Sequence, residues 1–94
     1  MNMNFLVIED DDELRAAIVS YLAKHRYNVT SCGSISEANM ALSDLRNEAR
    51  GPDAIVSHTR LRDGDALSFY LKAASRFPKV RWILTSPERA QFAS

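Results

Sequence analysis

"NFLVIEDDDELRAAIVSYL" (residues 4–22) sets a short apolar run directly against five acids and then a helical pattern. From Asn4 to Glu9 the apolar residues are successive rather than alternate, as in a strand buried on both faces. From Asp12 to Lys24, the residues Leu14, Ala17, Ile18, Tyr21 and Leu22 recur at i, i+3, i+4, i+7 and i+8. That spacing predicts one apolar helical face, with Arg15 and Lys24 off it. A buried strand that runs through acids into an amphipathic helix is one βα unit, and the question is how often the unit repeats.

Working outward, "YNVTSC" (27–32) reads as a second, less apolar strand. "SISE" (34–37) is a capping box, in which Ser34 and Glu37 satisfy amides at the start of a helix. Ile35, Ala38, Leu42, Leu45 and Ala49 give that helix its stripe, and "RGPD" ends it. "DAIVS" (53–57) is the third strand. After "LRDGD", the residues Leu67, Tyr70, Leu71 and Ala74 mark a third helix that Pro78 stops, and "VRWILT" (80–85) is the fourth strand. Strands alternating with helices over short connections imply right-handed crossovers, and so an α/β fold with a doubly wound parallel sheet. Function in such sheets gathers at the carboxyl ends of the strands, which here present Glu9, Asp10, Asp11, His58 and Thr85.

Composition narrows the function classes. The chain of 94 residues, 46% hydrophobic and 26% charged, suits a single domain over residues 1–94. Twelve basic residues balance twelve acidic ones, so no overall basic field would draw the protein to nucleic acid or an anionic membrane. No basic leader or long apolar run is present, and a cytoplasmic protein is expected. Cys32, the one cysteine, reads as a small half-buried residue at a strand end rather than a reactive thiol. A nucleotide-binding enzyme is disfavoured, because acids rather than glycines follow the first strand, where amides would cradle phosphate.

"FLVIEDDDELRAAIVSYL", "PDAIVSHTRLRDGDAL" and "WILTS" together resemble the receiver domain of two-component response regulators, over the whole chain. The resemblance implies the flavodoxin-like receiver fold with strand order 2-1-3-4, lacking the fifth strand and the last helices. It matches Glu9 and Asp10 to the acidic pair that holds Mg²⁺ in receivers. Thr85 matches the hydroxyl residue that contacts the phosphoryl group and relays its presence. His58 stands where the family has its phosphoacceptor aspartate. Asp53 and Asp63 do not replace it, since one opens the third strand and the other lies in the following loop. No lysine among Lys24, Lys72 and Lys79 matches the family's catalytic lysine.

Phosphoryl transfer to a receiver depends on an in-line carboxylate and on cations that neutralise the phosphoryl oxygens. An imidazole in place of that carboxylate removes a charge and a hard ligand, so Mg²⁺ binding is expected to be weak or absent. The expectation is an atypical, phosphorylation-independent interaction module and no enzyme. Its alternative is a phosphoryl-accepting receiver of a phosphorelay, or the N-terminal fragment of a larger response regulator. His58 is expected to pair as an imidazolium with Asp10 or Glu9; a solvated histidine and a transition-metal site with the acids are the other readings. Asp11 and Asp12 also suit N-capping of the first helix, and His25 suits its last turn. The partner is expected to be a protein, either a sensor histidine kinase or another regulator. Without further strands, strand four would be a bare edge, so a homodimer through strand four and the uncovered sheet face beside the first helix is expected, with Trp82 as its reporter.

Overall fold

The computed structural model describes residues 3–47 and 52–85. The elements run β1 (Asn4–Ile8), α1 (Asp12–Lys24), β2 (Asn28–Cys32), α2 (Ile35–Asn47), β3 (Ala54–His58), β4 (Arg60–Leu61), β5 (Gly64–Asp65), α3 (Ala66–Ala73) and β6 (Arg81–Thr85). The main sheet has the order β2-β1-β3-β6 with every pair parallel. Because β4 and β5 form a separate two-residue antiparallel ladder, β6 is the fourth strand of the main sheet and the order is the expected 2-1-3-4. Sequence patterning did not anticipate that small hairpin, which is too short to carry a period.

Alternation along the central strands sorts the core into two layers. Leu6, Ile8 and Ile55 point to one face, where Leu42 of α2 and Phe69 and Ala73 of α3 cover them. Val7 and Val56 point to the other, against Leu22 and the half-buried Ile18 of α1. Helices therefore flank both faces, which is why β1 had to be apolar at successive positions. β2 lies at an edge and exposes Asn28, Thr30 and Ser31, in keeping with its weaker apolar pattern.

Two helices sit on the sheet differently from their predicted stripes. In α3 the buried residues are Ala66, Phe69 and Ala73, while Leu67 and Leu71 are 53% and 66% exposed. The helix is apolar nearly all round, so two stripes compete, and its entry from the hairpin selects between them. Tyr70 is half-buried with its ring edge-on to Trp82, centroids 5.1 Å apart. In α1 only Leu22 is buried; Leu14 and Tyr21 are exposed, and Arg15 is turned partly inward. A guanidinium engaged at the strand end displaces the apolar stripe around the helix. For α2, Ala49 and the side chain of Leu45 lie outside the described residues, whereas Ala38 and Leu42 are fully buried as expected.

The predicted caps are present. Asp11 is the N-cap of α1 and accepts from the Leu14 amide at 2.9 Å. Ser34 Oγ accepts from the Glu37 amide at 3.1 Å, while the Glu37 carboxylate reaches back to the Gly33 amide at 3.2 Å. At the other end of α1, the Arg26 amide donates to Ala23 O and the Tyr27 amide to Leu22 O, with Arg26 at φ 67°. This is a Schellman closure with an arginine in the left-handed position usually held by glycine. His25 is the C-cap, with its ring 4.6 Å from that of Tyr21.

Candidate functional site

The parallel register gathers the predicted residues at one end of the sheet. His58 pairs in register with Thr85, and Ile8 pairs with Ser57, so Glu9 and Asp10 leave β1 beside the end of β3. Glu9 is 2% exposed. Its amide donates to Cys32 O at 3.0 Å, and its Oε2 accepts from the Asp11 amide at 3.1 Å. Its Oε1 is buried without a hydrogen-bond partner. Thr85 Oγ1 lies 3.5 Å from Ser57 O, and the Thr59 amide donates to Thr85 O at 2.8 Å, which ties the start of the loop after β3 to β6.

His58 takes a different partner from the expected one. Its Nδ1 lies 2.7 Å from the carbonyl oxygen of Arg60. A carbonyl can only accept, so Nδ1 carries the proton and the ring is oriented by its own loop rather than by Glu9 or Asp10. The cation that faces the Asp10 carboxylate is Arg62, whose Nε stands 4.0 Å from Asp10 Oδ2. A second guanidinium comes from α1: Arg15 donates to Glu9 O at 2.8 Å and to Asp12 Oδ1 at 2.7 Å. Both arginines line a cavity of about 420 Å³ together with Asp10, Asp12 and Glu37.

The loop that carries Arg62 is fixed on both sides. Leu61 is buried in the core beside Phe69. Asp63 accepts from the Ile35 amide at 2.9 Å and the Ser36 amide at 3.0 Å, capping α2 from across the molecule. Those two amides favour the ionised carboxylate and hold Asp63 below the usual aspartate range. Sequence reading left Asp63 as a loop acid and missed Arg15 and Arg62. The Asp12/Arg15 spacing of three on a helix was a usable signal for the first pair. Nothing local could have revealed a contact between Arg62 and Asp10. Cys32 is buried, and burial, with a smaller push from Glu37, raises its thiol to about 11, so it is no nucleophile at neutral pH.

These donors do not fit the Mg²⁺ that the fold implies. Mg²⁺ asks for hard oxygen ligands in near-octahedral array. Asp10 faces a guanidinium, position 58 offers an imidazole already turned to a carbonyl, and Glu9 Oε1 is the buried side-chain oxygen among the described residues that lacks a partner. Among the described residues, no three His, Cys, Asp or Glu side chains converge as a metal site.

No family model matches the chain. Over 65 residues it is 37% identical to the two-component response regulator ORR21 of rice, in both Oryza sativa subsp. indica and subsp. japonica. That stretch is 69% of this chain but 9% of the rice protein, so the chain spans a small part of the curated relatives it matches. Among solved structures it resembles the MaeR response regulator bound to beryllium trifluoride, with a TM-score of 0.76 at 22% identity, covering 100% of this chain and 80% of that one. It also resembles the non-phosphorylated HemR receiver domain from Leptospira biflexa, with a TM-score of 0.75 at 23% identity over 96% of this chain and 73% of that one. The chemotaxis response regulator CheY4 of Vibrio cholerae gives 0.74 at 18% identity, over 97% and 77%. At these identities the structures speak for the flavodoxin-like fold, and the rice match adds the sequence. The chain therefore carries a response-regulator receiver domain of the two-component type.

Proposed function

We propose that the chain is a pseudo-receiver, an interaction module of two-component signal transduction that works without accepting a phosphoryl group and is no enzyme. The observation that supports this reading is His58 Nδ1 turned to its own loop, 2.7 Å from Arg60 O, in the residue that the family resemblance matches to the acceptor. Phosphoryl transfer needs an in-line nucleophile and cations free to meet the incoming oxygens. Here the nucleophilic carboxylate is replaced, and the reading expects Mg²⁺ to bind weakly or not at all. The test is intact-mass spectrometry after incubation with acetyl phosphate and Mg²⁺. An unchanged mass is expected, and a gain of one phosphoryl group refutes the reading.

The partner in this proposal is a protein met in the cytoplasm, a sensor histidine kinase or another regulator, with a second copy of the chain as the first case to test. On β6, Ile83 and Leu84 are 48% and 40% exposed, and Tyr21 of α1 is 64% exposed. Apolar groups of this size gain from being covered. Among the described residues no helix is long and apolar enough to cross a membrane. Sedimentation velocity is expected to give a dimer that Ile83→Glu converts to monomer; a monomer at high concentration refutes self-association while leaving the signalling reading intact.

A further inference from the structure

We propose that Arg62 is a built-in counter-ion for the acid pair, a tethered cation that takes the place of the divalent metal and bars it from the pocket. This rests on the pseudo-receiver reading only in that both concern the same pocket. The contact itself is on the surface of the molecule: Arg62 Nε lies 4.0 Å from Asp10 Oδ2, and the arginine side chain is 83% exposed. An exposed side chain on a free loop would be poorly placed for such a role. Arg62 is not on a free loop. Leu61 before it is locked into the core, and Asp63 after it makes two hydrogen bonds to the amides that begin α2. The β4–β5 ladder closes the hairpin, with Arg60 paired to Asp65 and Leu61 to Gly64. The backbone at position 62 is thereby fixed, so the freedom lost in bringing the guanidinium to Asp10 is that of the arginine side chain alone.

The charges in the cavity point the same way. Asp10, Asp12 and Glu37 line it together with Arg15 and Arg62. Arg15 is committed to the Glu9 carbonyl and to Asp12. That leaves Arg62 as the described cation facing Asp10, the half-buried member of the acid pair. A divalent ion would have to displace a guanidinium held by its own loop, at a site that has already lost a carboxylate at position 58. Two changes, one subtracting a negative charge and one adding a positive charge, thus act in the same direction on metal affinity.

The test is direct titration with Mn²⁺, followed by the loss of the free-ion electron paramagnetic resonance signal, which needs no activity. Wild type is compared with His58→Asp, His58→Asp/Arg62→Gln and His58→Asp/Arg62→Lys, each checked for folding by circular dichroism. Arg62→Gln in the His58→Asp background is expected to tighten Mn²⁺ about fivefold, the size of effect that a partly exposed ion pair supports. Arg62→Lys keeps the charge and is expected to give no gain. Equal affinities for His58→Asp and His58→Asp/Arg62→Gln overturn the role of Arg62, and so does an equal gain from lysine and glutamine. Neither result touches the pseudo-receiver reading, which fails separately if the wild-type chain takes up a phosphoryl group from acetyl phosphate.

Discussion

Gly64→Ala is expected to destabilise the domain by about 2 kcal/mol, chiefly through backbone strain. Gly64 sits at φ +156°, where an L side chain is strained by about 1–3 kcal/mol. A Cβ placed there would lie 2.8 Å from Cδ1 of Ile35, the first residue of α2. Cδ1 is the far end of a flexible side chain and turns aside at small cost, so the backbone strain carries most of the loss. A loss of about 2 kcal/mol is a large share of the ~5 kcal/mol at the lower end of small-domain stability. For a chain of this size it lowers the melting temperature by about 10 °C. Urea denaturation followed by the fluorescence of Trp82, the one tryptophan, measures it, with the slope expected to stay constant. Repeating the substitution in an Ile35→Ala background removes the side-chain contact and leaves the backbone strain, so the cost there is expected to stay close to that in wild type. A loss below about 0.5 kcal/mol in both backgrounds would falsify the claim that the hairpin needs glycine at position 64.

Further outcomes are expected from the caps, the thiol and the imidazole. Arg26→Gly relieves a left-handed residue at the end of α1 and is expected to raise stability by about 1 kcal/mol in the same urea assay. Asp63 has a folded-state pKa below its ordinary 3.8, so its contribution is present above that value and is lost as pH falls through the lower folded one. Urea midpoints measured down this range are expected to show that acid step in wild type and to lack it in Asp63→Asn. Cys32, raised to about 11 by burial, is expected to react with a disulfide reagent at pH 8 only as fast as the domain opens, and to react at once in urea. Two-bond nitrogen–proton correlation spectra of neutral His58 are expected to show the proton on Nδ1; a spectrum with the proton on Nε2 would mean that the bond to Arg60 O is not formed in solution.

Much of the fold was readable because it rests on periodicity and end signals, which are local. Successive apolar residues in β1 marked a strand covered on both faces, and the acids after it marked both a helix start and a strand end. The capping box at Ser34 and Glu37 formed as written. The helix faces were less readable. α3 offers Ala66, Phe69 and Ala73 on one side and Leu67 and Leu71 on another, and periodicity alone cannot rank two apolar stripes. The approach from the β4–β5 hairpin ranked them, and that ladder is two residues long on each side.

The site divides along the same line. Sequence by itself placed Glu9, Asp10, His58 and Thr85 at the same end of the sheet, because parallel strands in register deliver their carboxyl ends to one edge. The resemblance it carries also matches an imidazole, His58, to the family's acceptor position. Only the tertiary structure decided what each group faces: His58 turned to Arg60 O, Asp10 opposite Arg62, Glu9 Oε1 buried without a partner, and Asp63 capping a helix distant in sequence. Charges and hydrogen bonds act over a few ångströms in space without regard to chain separation. A pattern along the chain can bring the residues to one place, but it cannot choose their partners.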